Sequence, residues 1–253
     1  METAFSVLVL LVVGVVGYVL SKRSGAAAQS MGQSMMGGAE AMDAANRRLF
    51  EMTGYTHAAC PGQPMEAQLE YSRRSASDPM AGVHFVRDAQ GLPVHYKTSV
   101  SHTLTGVAYA AEWFGQCQTS FGLHLIDAKL LGAEAEKANR TQGYERKIEP
   151  AYDEVAIAVP AFGNRFRLFT TDPGKAQQWL QQPDTQQRLM ALRSVELLAA
   201  PNGITLNDPM MDNLRSGSPA QMMAQTPAQH FEVSLAVHQN VAGLLHGLAQ
   251  ATS

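Results

Sequence analysis

The sequence predicts an α+β fold, an antiparallel sheet or sheets with flanking helices, preceded by one N-terminal transmembrane helix. Three observations predict it. An uncharged apolar run opens the chain, the apolar spacing changes from helical to alternating near Val83, and later segments carry capping residues directly before helical text. The organisation that follows is a membrane anchor with its basic flank at 1–23, a flexible linker at 24–42 and a globular α+β domain at 43–253.

The anchor is residues 4–20, "AFSVLVLLVVGVVGYVL", 17 consecutive residues without a charge. At ~1.5 Å per residue they reach about 26 Å, enough to cross the hydrocarbon core. A cleavable signal peptide places positive charge before its apolar stretch. Here only Glu2 is charged before it, and Lys22 and Arg23 follow at once, so the span is expected to be retained despite the small residues Ala26, Ala27 and Ala28. A buried core helix is the other reading of any apolar run, but such a helix rarely opens a domain with so long an uncharged stretch. Lys22, Arg23, Arg47 and Arg48 all lie after the span, and the positive-inside rule then places the body in the cytoplasm, on a single-pass protein of the inner membrane.

Residues 24–42 are rich in Gly, Ala, Ser and Met and cannot bury enough apolar surface to order themselves, so they read as a tether. Met31, Met35 and Met36 within it also suit a flexible contact surface. The body opens with helical text in which Met42, Leu49, Phe50 and Met52 fall near one another, with Gly54 as terminator; a second helix is expected in "QPMEAQLEYSRR". Alternation then begins. Val83, Phe85 and Arg87 lead into Asp88-Ala89-Gln90-Gly91 and out through Val94, Tyr96, Thr98 and Val100, a hairpin signal.

Further strands are expected in "TGVAYAAEWFGQC" and in "SFGLHLID", where Phe121, Leu123 and Leu125 share one face and Gly122, His124 and Ile126 the other. Residues 127–153 are mostly polar and are expected to form an exposed helix and loop. Val155, Ile157 and Val159, a turn over Pro160 to Asn164, and Phe166, Leu168 and Thr170 predict an antiparallel pair. Asp172 before Pro173 caps one helix, and Asp184 is placed to cap a second that turns Leu189 and Leu192 inward. "VELLAAPNGITL" predicts a hairpin with Pro201-Asn202-Gly203 at its tip. Thr226, Pro227 and Gln229 predict a capping box, and Val241, Leu244, Leu245 and Leu248 continue that helix, although Phe231, Val233, Leu235 and Val237 also alternate as a strand would.

The stretches "FGNRFRLFTTDPGKAQQWLQQPDTQQRLMAL" and "HFEVSLAV" resemble an uncharacterised bacterial membrane-associated family of unknown function, in which a Phe-rich strand ends in Thr/Ser-x-Asp before a helix. The resemblance extends loosely over residues 80–250 and is specific at 162–192. It implies an α+β domain beside a membrane segment and supplies no catalytic residues; this chain shows one span where that family carries paired spans.

Candidate chemistry is sparse. His57 and Cys60 have the i, i+3 spacing of two ligands on one helical face, and Cys117 with His124 would complete a tetrahedral set, but Pro61 and Gly62 end any helix there and no Cys-x-x-Cys pair exists. His230, His238 and His246 recur every eight residues, yet each step advances about 80° on a helix, so they share no face. Cys117 with His102 or His124 is the Cys/His set that predicted strands bring nearest, and Trp113, Phe114 and Phe121 around it suggest a buried, inert thiol. No Walker loop, dinucleotide-binding glycine pattern, GxSxG or HExxH occurs. Net charge is −3, from 19 basic and 22 acidic residues spread along the chain, which excludes the basic footprint of a nucleic-acid binder. Two cysteines allow at most one disulfide, in keeping with a reducing compartment.

These observations predict no catalytic, cofactor-binding or metal-binding residue and no cofactor. The expected function is a membrane-anchored, non-enzymatic domain, held to the membrane through residues 4–20, that binds a protein partner or the membrane surface and no nucleic acid. The rival is a hydrolase-type enzyme using a Cys/His site. An exposed apolar face favours the first, and a pocket where His, Cys and carboxylate groups converge favours the second.

Overall fold

Alternating apolar text in the middle of the chain becomes strands, and the capped segments become helices laid on one side of them. The computed structural model describes residues 43–44, 46–77, 84–103, 106–132, 152–208, 213–214 and 227–253. The apolar run at 4–20, the linker at 24–42 and the capping Thr226 lie outside the described residues. Among the described residues no helix is long and apolar enough to cross a membrane.

Helix α1 (46–53) is followed by β1 (Thr56–His57), α2 (Met65–Ser77), β2 (His84–Ala89), β3 (Leu92–Thr103), β4 (Gly106–Gly115) and β5 (Leu123–Asp127). After a 3-10 turn at Ala128–Leu130 come β6 (Asp153–Val155), α3 (Pro160–Gly163), β7 (Phe166–Thr170), α4 (Pro173–Gln181), α5 (Pro183–Ala191), β8 (Glu196–Ala200), β9 (Gly203–Asp208) and α6 (Pro227–Thr252). Among the described residues nine strands form one sheet in the order β1-β2-β3-β4-β9-β8-β5-β7-β6. Every pairing in it is antiparallel. The β8–β9 hairpin therefore enters between β4 and β5 and joins two halves made earlier in the chain.

Local chemistry fixes the turns. At the β2–β3 hairpin Gln90 has φ 59 and Gly91 φ 87, two consecutive left-handed residues as a type I′ turn requires. The Asp88 carboxylate accepts the Gly91 N–H at 2.7 Å and holds the turn closed. At α4, Asp172 is the N-cap, Pro173 follows at the first helical position, and the Asp172 side chain accepts the Lys175 N–H.

The helices meet one face of the sheet. Phe50 of α1 meets Phe85 edge-on at 5.2 Å, Phe162 of α3 meets Phe166 at 5.2 Å, and His238 of α6 meets Tyr96 at 4.6 Å. Trp113, Leu125, Leu168, Leu197 and Leu206 point the same way and are fully buried beneath this layer. A polar knot ties the far side of that layer. Asp127 accepts the Val195 N–H at 2.8 Å and pairs with Arg165 at 3.0 Å, and Arg165 also donates to the Leu192 carbonyl.

Several expectations are corrected. Residues 127–153 were expected to be exposed, but Asp127 is buried, because the polar knot satisfies its charge; residues 133–151 lie outside the described residues. Ile157 and Val159 follow β6 instead of extending it: Gln177 of α4 bonds both the Ala156 carbonyl and the Ala158 N–H, which holds this backbone to the helix. Gln182, not Asp184, occupies the cap of α5; Pro183 takes the first helical position and Asp184 pairs with Arg188 one turn on. Met52, expected beside the apolar residues of α1, is 49 % exposed. The two faces of β5 are as the alternation predicts, yet all five of its residues are buried.

Candidate functional site

The sequence-derived candidates do not converge. His57 sits in β1, not on a helix, and its Nδ1 accepts the Ala59 N–H at 3.2 Å. Cys60 is buried, and its thiol donates to Gln68 Oε1 at 3.4 Å; burial also pushes its pKa up. Cys117 is half-buried, more open than expected, and burial raises its pKa as well, which disfavours the reactive thiolate. His102 pairs with Val107, whereas Cys117 lies just past Gly115, opposite Val94 at the other end of the β3–β4 ribbon. His124 is in β5, on the far side of β9 and β8, with its Nε2 3.7 Å from Glu196. Among the described residues no group of three or more His, Cys, Asp or Glu is placed to hold a metal ion.

The three regularly spaced histidines separate by environment. His238 is buried between α6 and the sheet, where its Nδ1 accepts the Trp113 indole N–H at 3.0 Å and its ring lies edge-on to Tyr55 and Tyr96. Burial, reinforced by the charge of Arg87, pulls its pKa down to about 3. Burial likewise raises the Tyr55 and Tyr96 pKa values. His246 is bonded to Gln250 one turn away. His230 lies in the first turns of α6 and its side chain is outside the described residues.

Two further arrangements have no sequence motif. Lys175 Nζ donates to Ser120 Oγ at 2.9 Å, a Ser/Lys contact, but both residues are exposed. A groove of about 340 Å³ runs along Glu154–Ile157, Gly163, Phe166 and Arg167. The Glu154–Arg167 ion pair occupies its polar side, and among the described residues no cysteine or histidine lines it.

The sheet face opposite the helices carries the extended feature. Register sets Thr56, Val86, His95, Phe114, Thr205, Leu198, His124, Phe169 and Glu154 side by side in one row across all nine strands. A parallel row runs Lys97, Glu112, Asn207, Glu196, Ile126 and Arg167. Within the first row Val86, His95, Phe114, Leu198 and Phe169 are only half-buried, whereas their counterparts on the helix face are fully buried. With strands about 4.8 Å apart the row is about 38 Å wide.

No protein-family model and no curated protein sequence matches the chain. Among solved structures it has a slight likeness to the crystal structure of the mycobacterial trehalose monomycolate transport factor A, TtfA. The two are 11% identical over 66% of this chain and 73% of that one, with a TM-score of 0.35.

Proposed function

We propose that this is a membrane-anchored binding domain, tethered through residues 4–20 with its folded body in the cytoplasm, and that the sheet face opposite the described helices docks a protein partner. The observation that carries the reading is the half-buried set Val86, His95, Phe114, Leu198 and Phe169, interrupted in its row by the buried His124, at positions that a sheet with one solvated face normally fills with polar side chains. A protein suits this face better than a lipid surface does. Its accessible charges are Lys97 and Arg167 against Glu112 and Glu154, a mixed and balanced set, whereas anionic membranes are held by clusters of Lys and Arg. At about 29 Å from Val86 to Phe169 the row also spans the width of a standard interface. The hydrolase reading draws no support from the geometry, because Cys117, His102 and His124 stand apart.

Site-specific photo-crosslinking in intact cells tests this. A crosslinker at Leu198 or Phe114 should give one discrete protein adduct that Val86→Glu abolishes without lowering the melting temperature, while a crosslinker at Glu51 on α1 gives none. Equal adducts from both sides of the molecule, or adducts indifferent to Val86→Glu, would overturn it.

A further inference from the structure

Two imidazoles meet at the β2–β3 hairpin, on the sheet face opposite the described helices. His84 Nε2 and His95 Nδ1 lie 3.1 Å apart. The register makes them diagonal neighbours, with His84 opposite Lys97 and His95 opposite Val86, and the tight turn at Gln90–Gly91 fixes that register. Two nitrogens each about 2.0–2.1 Å from a shared ion, at an angle of about 90–110°, are themselves about 2.9–3.4 Å apart. The observed separation falls inside that range.

We infer that His84 and His95 form a bidentate site for a divalent transition ion that favours imidazole, namely Cu(II), Ni(II) or Zn(II). The nitrogen-only donor pair excludes the hard oxygen-seeking ions Mg(II) and Ca(II). In the metal-free protein one ring donates its N–H to the other in an N–H···N contact; on metal binding that proton passes through solvent to the other nitrogen of the same ring, so both rings stay neutral, and a rotation of each ring brings both lone pairs onto the ion.

Lys97, opposite His84, repels a dication, but it is exposed on a flexible stem that can swing its charge away. Phe114 packs 6.2 Å from the His95 ring and limits the space into which that ring can turn. The remaining coordination positions are filled by water.

The test is titration of the purified, metal-free full chain with Cu(II), followed by calorimetry and electron paramagnetic resonance. One equivalent should bind with a two-nitrogen signature, and His84→Gln and His95→Gln should each weaken it by about tenfold or more. His246→Gln, which alters a histidine on α6, should leave it unchanged. Melting curves of each variant separate loss of the ligand from loss of the fold, and if one Gln variant fails to fold, the other decides. Absence of binding, or equal affinity in wild type and a folded Gln variant, would overturn the assignment.

Discussion

Trp113 donates its indole N–H to Nδ1 of His238 at 3.0 Å, across 125 residues of sequence, in the buried layer between the sheet and the C-terminal helix. The bond needs His238 to keep that nitrogen unprotonated, and the ring is only 2 % exposed. A neutral histidine is therefore part of the core, enclosed by Tyr55, Tyr96 and Trp113.

Acid should destabilise this core in a defined window. Burial holds the folded pKa of His238 at about 3, against an ordinary value of 6.5, so on acidification the unfolded chain takes up the proton first. Its contribution is thus complete above pH 6.5 and is lost as the pH falls from there towards 3, at up to about 1.4 kcal/mol per pH unit. His238→Phe removes that titration, although it leaves the Trp113 N–H without its acceptor. Wild type should lose melting temperature more steeply than His238→Phe between pH 6.5 and 4, and parallel slopes would contradict the assignment. Tyr55 and Tyr96, both raised by burial, set the opposite limit: their contribution is complete below pH 10 and lost above it.

Residues 162–192 should carry structure and not chemistry. Phe166 is 1 % exposed, edge-on to Phe162 and beneath the Arg165 guanidinium, so Phe166→Ala should cost ~3–5 kcal/mol. Asp172→Ala loses one capping bond to the Lys175 N–H and should cost only ~1 kcal/mol. Denaturant unfolding of both variants checks the ratio. If Asp172→Ala kept full stability yet abolished partner crosslinking, Asp172 would belong to a binding site and the scaffold reading would fail.

The sequence shows those features whose cause is local. Gly91 in the β2–β3 turn, the Asp172–Pro173 cap and the hairpin tip expected at Pro201-Asn202-Gly203 each act within a few residues, and each appears where its chemistry predicts, except that Gly203 already opens β9. What depends on distant partners is not legible. Nothing near β5 announces that β8 and β9 enter beside it, and the polar partners of the buried His124 and Asp127, namely Glu196 for the first and Arg165 and Val195 for the second, come from far along the chain. His238 looked like one of three equivalent histidines, since its environment is set by Trp113. The His84–His95 contact is intermediate: once the turn at Gln90–Gly91 fixes the hairpin register, the diagonal pairing follows from the sequence.

Two glycines should respond in opposite ways to alanine, and the difference tests the central position of the β8–β9 hairpin. A Cβ on Gly203 would lie 2.4 Å from the Phe114 ring and 2.7 Å from the Gly115 carbonyl oxygen. That oxygen belongs to the backbone of β4, which is hydrogen-bonded on both sides, so it cannot retreat without opening the β4–β9 ladder. A Cβ on Gly243 would lie 2.3 Å from the Arg188 guanidinium. There the neighbour is the end of a flexible, partly exposed side chain on α5, which can turn aside by giving up its exposed ion pair with Asp184, and alanine in place of glycine inside α6 adds about 1 kcal/mol of helix propensity. Gly203→Ala should therefore lower the melting temperature strongly, while Gly243→Ala leaves it near wild type or raises it. A mild effect at Gly203 would mean that β9 is not locked against β4, and the continuous nine-stranded face on which the docking proposal rests would break into two separate halves.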